Sequence, residues 1–282
     1  MKYLSNAKIN LNLMIQGIDD QGYHLLYSVV APIELHDELE IELIESNEIK
    51  IECDNPNIPI DDKNIIIKCA NELKKYKHFS QGIKIKLTKN IPTEAGLGGG
   101  SSNGATTLLA LNEMLKLGLT KEELASIGLK AGADIPFFIY NRLALMEGRG
   151  EKLTLLENKE FKPYVLLIKP NQGVSTKEAF YLYDHMMKSK EFTPPILHKL
   201  IEENKIESIK ELIKNDLERT AKMLVPEIEK ISKILVDLGT DASCMSGSGS
   251  CYFGLFFDEE KAKKAYEKVR GLDYFVKLTK IL

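Results

Sequence analysis

Along the first ninety residues, apolar side chains fall on alternate positions: Ile9, Leu11, Leu13 and Ile15, then Leu39, Ile41 and Leu43, then Ile49 and Ile51, then Ile83, Ile85 and Leu87. A period of two places each set on one face of a strand. Residues 64–76, NIIIKCANELKKY, change to helical spacing, and Leu108, Leu111 and Leu115 share the face of a second helix that stops at Gly118. Thr120 with Glu123 is a T-x-x-E pair, whose side chains cap each other's backbone at a helix start, and Ser175 with Glu178 repeats it. Pro136 is expected to end the intervening helix or to open an extended segment. YVLLI at 164–168, bounded by Pro163 and Pro170, predicts a buried strand. Residues 196–237 return to helical spacing with an interruption at Pro226, and SCYFGLFF plus a helix carrying Ala262, Ala265, Tyr266 and Val269 completes the pattern. The chain reads as α+β in two parts, residues 1–155 and 156–282.

Composition narrows the partners. With 282 residues the chain is long enough for one large domain or two ordinary ones and can bury a substantial core without disulfides or metal. Its 38 basic and 41 acidic side chains leave a net charge of −3 and form no basic stripe among aromatics, so no nucleic acid partner is expected. Cys53, Cys69, Cys244 and Cys251 form no C-x-x-C pair, and five histidines show no ligand spacing. This predicts reduced thiols in a cytoplasmic protein without a protein-held metal. No apolar run of about 18 residues occurs, so neither a membrane span nor an export signal is expected.

Candidate chemistry centres on IPTEAGLGGGSSNGATTLLALNEML, residues 91–115. Gly98, Gly99 and Gly100 can take positive φ and let backbone N–H groups converge, and the helix behind adds its free amides and positive dipole end. Such a turn suits a phosphate. It is neither of the standard nucleotide fingerprints, because no lysine follows and Ser101 stands where the last glycine of G-x-G-x-x-G belongs. The plainer reading is a helix entry capped by Ser101 or Ser102. Asp134 in GADIPFF is either a partly desolvated carboxylate or a turn residue, and periodicity alone makes Lys8 in AKINLNL an outward position. MSGSGS at 245–250 gains meaning only if it meets the first loop in space. GYH at 22–24 is a surface turn or a ligand contact, and the turns GRGE and NDLE are uninformative singly.

Taken in order, AKINLNL, DQGYH, PTEAGLGGGSSN, GADIPFF, EGRGE, NDLE and MSGSGS resemble the GHMP small-molecule kinases over nearly the whole chain. They are most similar to the members acting on the 2-hydroxyl of a diphosphocytidyl methylerythritol in non-mevalonate isoprenoid synthesis. The resemblance implies a two-domain α+β kinase, its C-terminal domain ferredoxin-like, with ATP and substrate sites in an interdomain cleft. It implies ATP with Mg2+, the nucleotide being held by Pro92, Gly96, Leu97, Gly98, Gly99, Gly100, Ser101 and Ser102. Asp134 then resembles the base and Lys8 the cation beside it, Tyr23 and His24 the cytosine-reading pair, Phe180 a second aromatic face, and Asn12 a substrate contact. The implied partner is a small molecule with a cytidine diphosphate moiety, and oligomeric state is left open. Two departures stand out: Asn103 where the family usually has aspartate after the serines, and Gly17-Ile18-Asp19-Asp20-Gln21 where an arginine-bearing turn is common. A kinase of another small alcohol, such as homoserine or mevalonate, and a catalytically silent homologue are the alternatives.

Overall fold

The computed structural model describes residues 1–157, 160–186 and 192–282. The strands are β1 (Lys2–Asn10), β2 (Met14–Ile18), β3 (His24–Ile44), β4 (Ile49–Cys53), β5 (Gly82–Thr88), β6 (Ala144–Gly148), β7 (Lys152–Leu155), β8 (Tyr164–Lys169), β9 (Ala242–Met245), β10 (Tyr252–Phe256) and β11 (Phe275–Lys280). The helices are α1 (Ile65–Tyr76), α2 (Gly99–Met114), α3 (Lys121–Leu129), α4 (Ile135–Tyr140), α5 (Thr176–Met186), α6 (Leu197–Glu202), α7 (Ile206–Ile209), α8 (Glu218–Leu224), α9 (Glu227–Asp237) and α10 (Glu259–Val269).

The chain forms two compact units. Unit 1 holds residues 1–7, 35–91 and 98–141. Here the second half of β3 pairs antiparallel with β5 from Glu38↔Thr88 to Ile44↔Gly82, and β4 adds parallel to β5. Helix α2 packs close to α1 because residue 104 is glycine; a Cβ there would lie 2.8 Å from Cys69 Sγ. The Thr120–Glu123 capping box forms as expected. Pro136 does neither of the things the pattern suggested: α3 ends at Leu129, and Pro136 lies in the first turn of α4, where a missing N–H costs no helical bond.

Unit 2 holds residues 8–34, 92–97 and 142–282. The first half of β3 pairs with β2 and, from Leu26↔Gly148 to Val30↔Ala144, with β6, which continues into β7. A second, antiparallel sheet runs β11-β8-β10-β9, the strand order of a ferredoxin-like split β-α-β. Ile228, Ile231, Leu235, Ala262, Ala265 and Val269 of α9 and α10 join Leu166, Ile168 and Phe256 in its core.

The units cross the chain-order division at residue 155: residues 8–34 and 92–97 cluster with 142–282. The cause is strand pairing. β3 changes partners across Pro32, which has no N–H to donate, and Leu13 bridges Asn215 far along the chain.

Candidate active site

In unit 2 residues 8–13 of AKINLNL are buried on both faces. Ile9 and Leu11 are fully buried, and so, to within 5% exposure, are Lys8, Asn10 and Asn12. The outward position that periodicity gave Lys8 is therefore corrected: strand β1 has packing on both sides. A hydrogen-bonded line replaces solvent for these polar groups. Lys8 Nζ donates to Asn10 Oδ1 (2.5 Å), Asn10 Nδ2 to Ser28 Oγ (2.8 Å), and Ser28 Oγ to the Asn12 carbonyl (2.5 Å). Asn12 Oδ1 accepts from Val29 N–H (2.6 Å), while its Nδ2 is buried with no partner. An orphaned buried donor is uncommon and calls for an acceptor.

The loop 92–97 lies against this line. Lys8 N–H donates to Leu97 O (3.0 Å), and Ser246 Oγ bridges Asn10 N–H (3.2 Å) and Gly96 O (2.9 Å). Ser250 N–H and Cys251 N–H donate to Glu94 O and Ala95 O, each at 3.2 Å. The two Ser/Gly loops thus meet, the condition under which MSGSGS gains meaning. Gly96 has φ +72° and a Cβ there would stand 1.9 Å from Ser246 O, so only glycine fits. Lys169 is buried with Nζ on Pro170 O (2.9 Å); burial lowers its pKa, which nearby Cys251 and Glu94 oppose. The NDLE turn completes the frame: Asn215 Nδ2 donates to Met245 O and Gly247 O, both at 2.8 Å, and Asp216 Oδ2 accepts from Ile15 N–H (2.9 Å).

The GYH turn lies in the same unit. Asp19 Oδ1 accepts from Gln21 and Tyr23 N–H, both 2.9 Å, and Oδ2 accepts from Arg149 Nε (2.7 Å). The Tyr23 N–H bond, and then Arg149, hold the Asp19 carboxyl below its usual range. Arg149 also covers the Tyr23 ring, its guanidinium carbon 4.2 Å from the centroid. His24 stacks on Phe180 with centroids 4.4 Å apart and pairs with Asp184 at 2.7 Å, with Tyr183 edge-on. Burial raises the Tyr183 phenol, helped by Asp216 and Asp184, so it stays neutral.

In unit 1, Gly98 is the N-cap of α2 with φ +70°, and no side chain caps the helix. The expected Ser101 or Ser102 cap is corrected: the helix starts earlier, Gly99 and Gly100 lie inside it, and of the three glycines only Gly98 has positive φ. Ser102 is buried instead, its Oγ 2.7 Å from Ser5 Oγ, which also lies 2.7 Å from Asn103 Oδ1. The amide oxygen only accepts, so Ser5 donates to Asn103 and accepts from Ser102. Position 103 is thus bonded to strand β1. Asp134 is the N-cap residue of α4, half-buried and without a side-chain cap bond. Ahead of the loop, fully buried Asp37 receives Lys89 Nζ (2.6 Å) and the N–H groups of Asn90 and Ile91 (2.8 and 2.7 Å), fixing the turn that leads into it.

Residues 64–142 match the family described as GHMP kinases N terminal domain, and residues 197–272 match GHMP kinases C terminal. A 4-diphosphocytidyl-2-C-methyl-D-erythritol kinase of Clostridium botulinum (strain Alaska E43 / Type E3) is 40% identical over 97% of this chain and 98% of its own length. The chain belongs to the GHMP kinases, in the 4-diphosphocytidyl-2-C-methyl-D-erythritol kinase family. The Caldanaerobacter subterraneus enzyme of that name is 38% identical over 98% of this chain and 95% of its own. A crystal structure of 4-(cytidine 5'-diphospho)-2C-methyl-D-erythritol kinase superposes with TM-score 0.84 at 30% identity, covering 100% of this chain and 99% of that one. Homoserine kinase from Cytophaga hutchinsonii shares the fold, with TM-score 0.78 at 19% identity over 100% of this chain and 94% of that one.

This GHMP kinase is a small-molecule kinase that uses ATP. Its fold distributes the expected site residues by unit: Lys8, Asn12, Tyr23, His24, Pro92, Gly96, Leu97 and Phe180 in unit 2, Gly98 to Ser102 and Asp134 in unit 1. Hydrogen bonds join Lys8 to Leu97 and, through Asn10 and Ser28, to Asn12. Phe180 lies directly on His24, and the Tyr23 ring faces Arg149. Sequence reasoning missed Arg149, Asp184, Asn215 and Ser246. Three of the four lie in GRGE, NDLE and MSGSGS, and their signal was the recurrence of those turns in one order. No helix among the described residues is long and apolar enough to cross a membrane.

Proposed function

We propose that this kinase transfers the γ-phosphate of ATP to the 2-hydroxyl of 4-diphosphocytidyl-2-C-methyl-D-erythritol, in the non-mevalonate route to isoprenoids. The observation that carries the substrate assignment is the cluster of His24, Phe180 and Tyr183, an aromatic wall with an imidazole in it, while Tyr23, its neighbour in sequence, lies under Arg149. A pyrimidine uses such a wall, whereas homoserine and mevalonate offer it nothing to stack. The names of the relatives at 38–40% identity support the same reading.

Phosphoryl transfer needs an in-line hydroxyl and charge compensation rather than covalent help from the protein. The uncapped start of α2 at Gly98, with Ser101 half-exposed, fits the phosphates of ATP, since backbone amides and a dipole end act there without a lysine. Pro92, Gly96 and Leu97 are assigned to the same nucleotide, Gly96 because no side chain fits beside Ser246. Mg2+ fits as an ion carried by the phosphates, for it keeps phosphate and water ligands and needs few carboxylates, and no cluster of three candidate ligands forms among the described residues. When bound it neutralises phosphate charge. Asp134 is assigned the proton of the substrate hydroxyl and Lys8 the stabilisation of the charge that remains. Asn12, whose buried Nδ2 lacks a protein acceptor, is assigned to the substrate.

The two family matches fall on either side of residue 155, which supports residues 1–155 and 156–282 as the inherited domains. The four cysteines are free thiols, which supports a cytoplasmic setting.

The test is ATP consumption with the cytidyl substrate against homoserine and mevalonate. Turnover confined to the cytidyl substrate is expected. Faster turnover of another alcohol overturns the assignment, and absence of single-turnover transfer to any of them makes the chain a silent homologue.

A further inference from the structure

The two ring nitrogens of His24 are in different situations. Nε2 lies 2.7 Å from Asp184 Oδ1, Phe180 covers a ring face at 4.4 Å, and Tyr183 stands edge-on at 6.5 Å. The His24 side chain is only 14% exposed, while Asp184, on α5, is 39% exposed. An ionised carboxylate can only accept, so Nε2 carries the proton. A neutral imidazole has one proton on nitrogen, and Nδ1 is left as a lone-pair acceptor.

We propose that Asp184 is a specificity-positioning residue: by holding His24 in its Nε2–H form, it keeps Nδ1 an acceptor that pairs with the exocyclic amino group of a cytosine and repels the carbonyl oxygen of a uracil. The proposal rests on the cytidyl reading above and adds the group that gives the imidazole a direction. Stacking alone gives none, because every pyrimidine has a ring face to offer Tyr23 or Phe180. Without Asp184 the ring can exchange to its Nδ1–H form, and that form donates to a uracil as readily as the other accepts from a cytosine. The ring would keep its stacking partner and lose its selectivity.

Two measurements on Asp184→Ala, with Asp184→Glu as the conservative control, separate this role from a structural one. Long-range 15N spectra of the ligand-free protein should show His24 as Nε2–H in the parent and in Asp184→Glu, and a mixture in Asp184→Ala. Calorimetry with CDP and UDP should show a preference for CDP in the parent that falls by about tenfold in Asp184→Ala and returns in Asp184→Glu. An Nδ1–H histidine in the parent overturns the proposal, as does an intact CDP preference in Asp184→Ala. In both cases the cytidyl reading stands. A parent with no preference for CDP overturns the cytidyl reading and this proposal together.

Discussion

Lys8, Asn10, Ser28 and Asn12 are buried to within 5% and are fixed by hydrogen bonds to one another, whereas Tyr23 is 56% exposed and is held by Arg149. His24 is intermediate, tied to Asp184 and Phe180. Both groups belong to unit 2, yet they respond to change in different ways. Leaving a buried donor or acceptor unpaired costs about 1–3 kcal/mol, so the buried line cannot lose a member without losing stability. Ion pairs and stacking near the surface contribute less, so the aromatic group can alter specificity with the fold nearly intact.

The largest effect should come from the backbone contact that supports the buried line. Gly96→Val places a side chain on Ser246 O at a positive φ, and nucleotide binding should fall below detection by calorimetry. Wild-type affinity in that variant would show the two loops to be independent. Lys8→Met and Asp134→Asn should each lower kcat by about 100-fold or more, but they should part company in thermal unfolding. Lys8→Met strips Asn10 Oδ1 of its donor and should cost about 1–3 kcal/mol. Asp134→Asn, half-buried and without a cap bond, should stay within about 0.5 kcal/mol of the parent. Equal stability losses would erase the distinction.

Lys169 gives a smaller effect that reads burial itself. Because burial lowers its pKa from 10.5, the unfolded chain holds a proton that the folded chain has released between the lowered value and 10.5. More protons on the unfolded state mean that stability rises with pH across that window. In Lys169→Met, denaturant unfolding at several pH values should show this rise reduced by at most about 1.4 kcal/mol per pH unit. An unchanged slope would mean that Lys169 does not feel its burial.

Much of this was legible in the residues. Period-two runs located β4, β5 and the second half of β3, and the T-x-x-E pair located the start of α3. The ordered turns located the family. What periodicity could not give was the second buried face of AKINLNL, because a strand packed on both sides carries its polar groups inward only where partners satisfy them, and the line from Lys8 and Asn10 closes on Ser28, which comes from another strand. Nor could it give the start of α2: a glycine N-cap leaves no side-chain signature, so Ser101 and Ser102 were the natural candidates. Asp184 lay beyond reach for the same reason as Ser28, and Arg149 was visible only as part of the GRGE turn, without its contact. Each acts on a turn more than a hundred residues away in the chain, and only the fold brings it there.

The decisive experiment is kcat/KM of His24→Ala and Tyr23→Ala with the cytidyl substrate and its uridyl analogue. His24→Ala should lose about ten- to hundredfold with the cytidyl substrate and most of the cytidyl to uridyl ratio, while Tyr23→Ala should weaken both substrates alike. A His24→Ala enzyme with the parent's rate and the parent's ratio would contradict the assignment of this cluster to a cytosine.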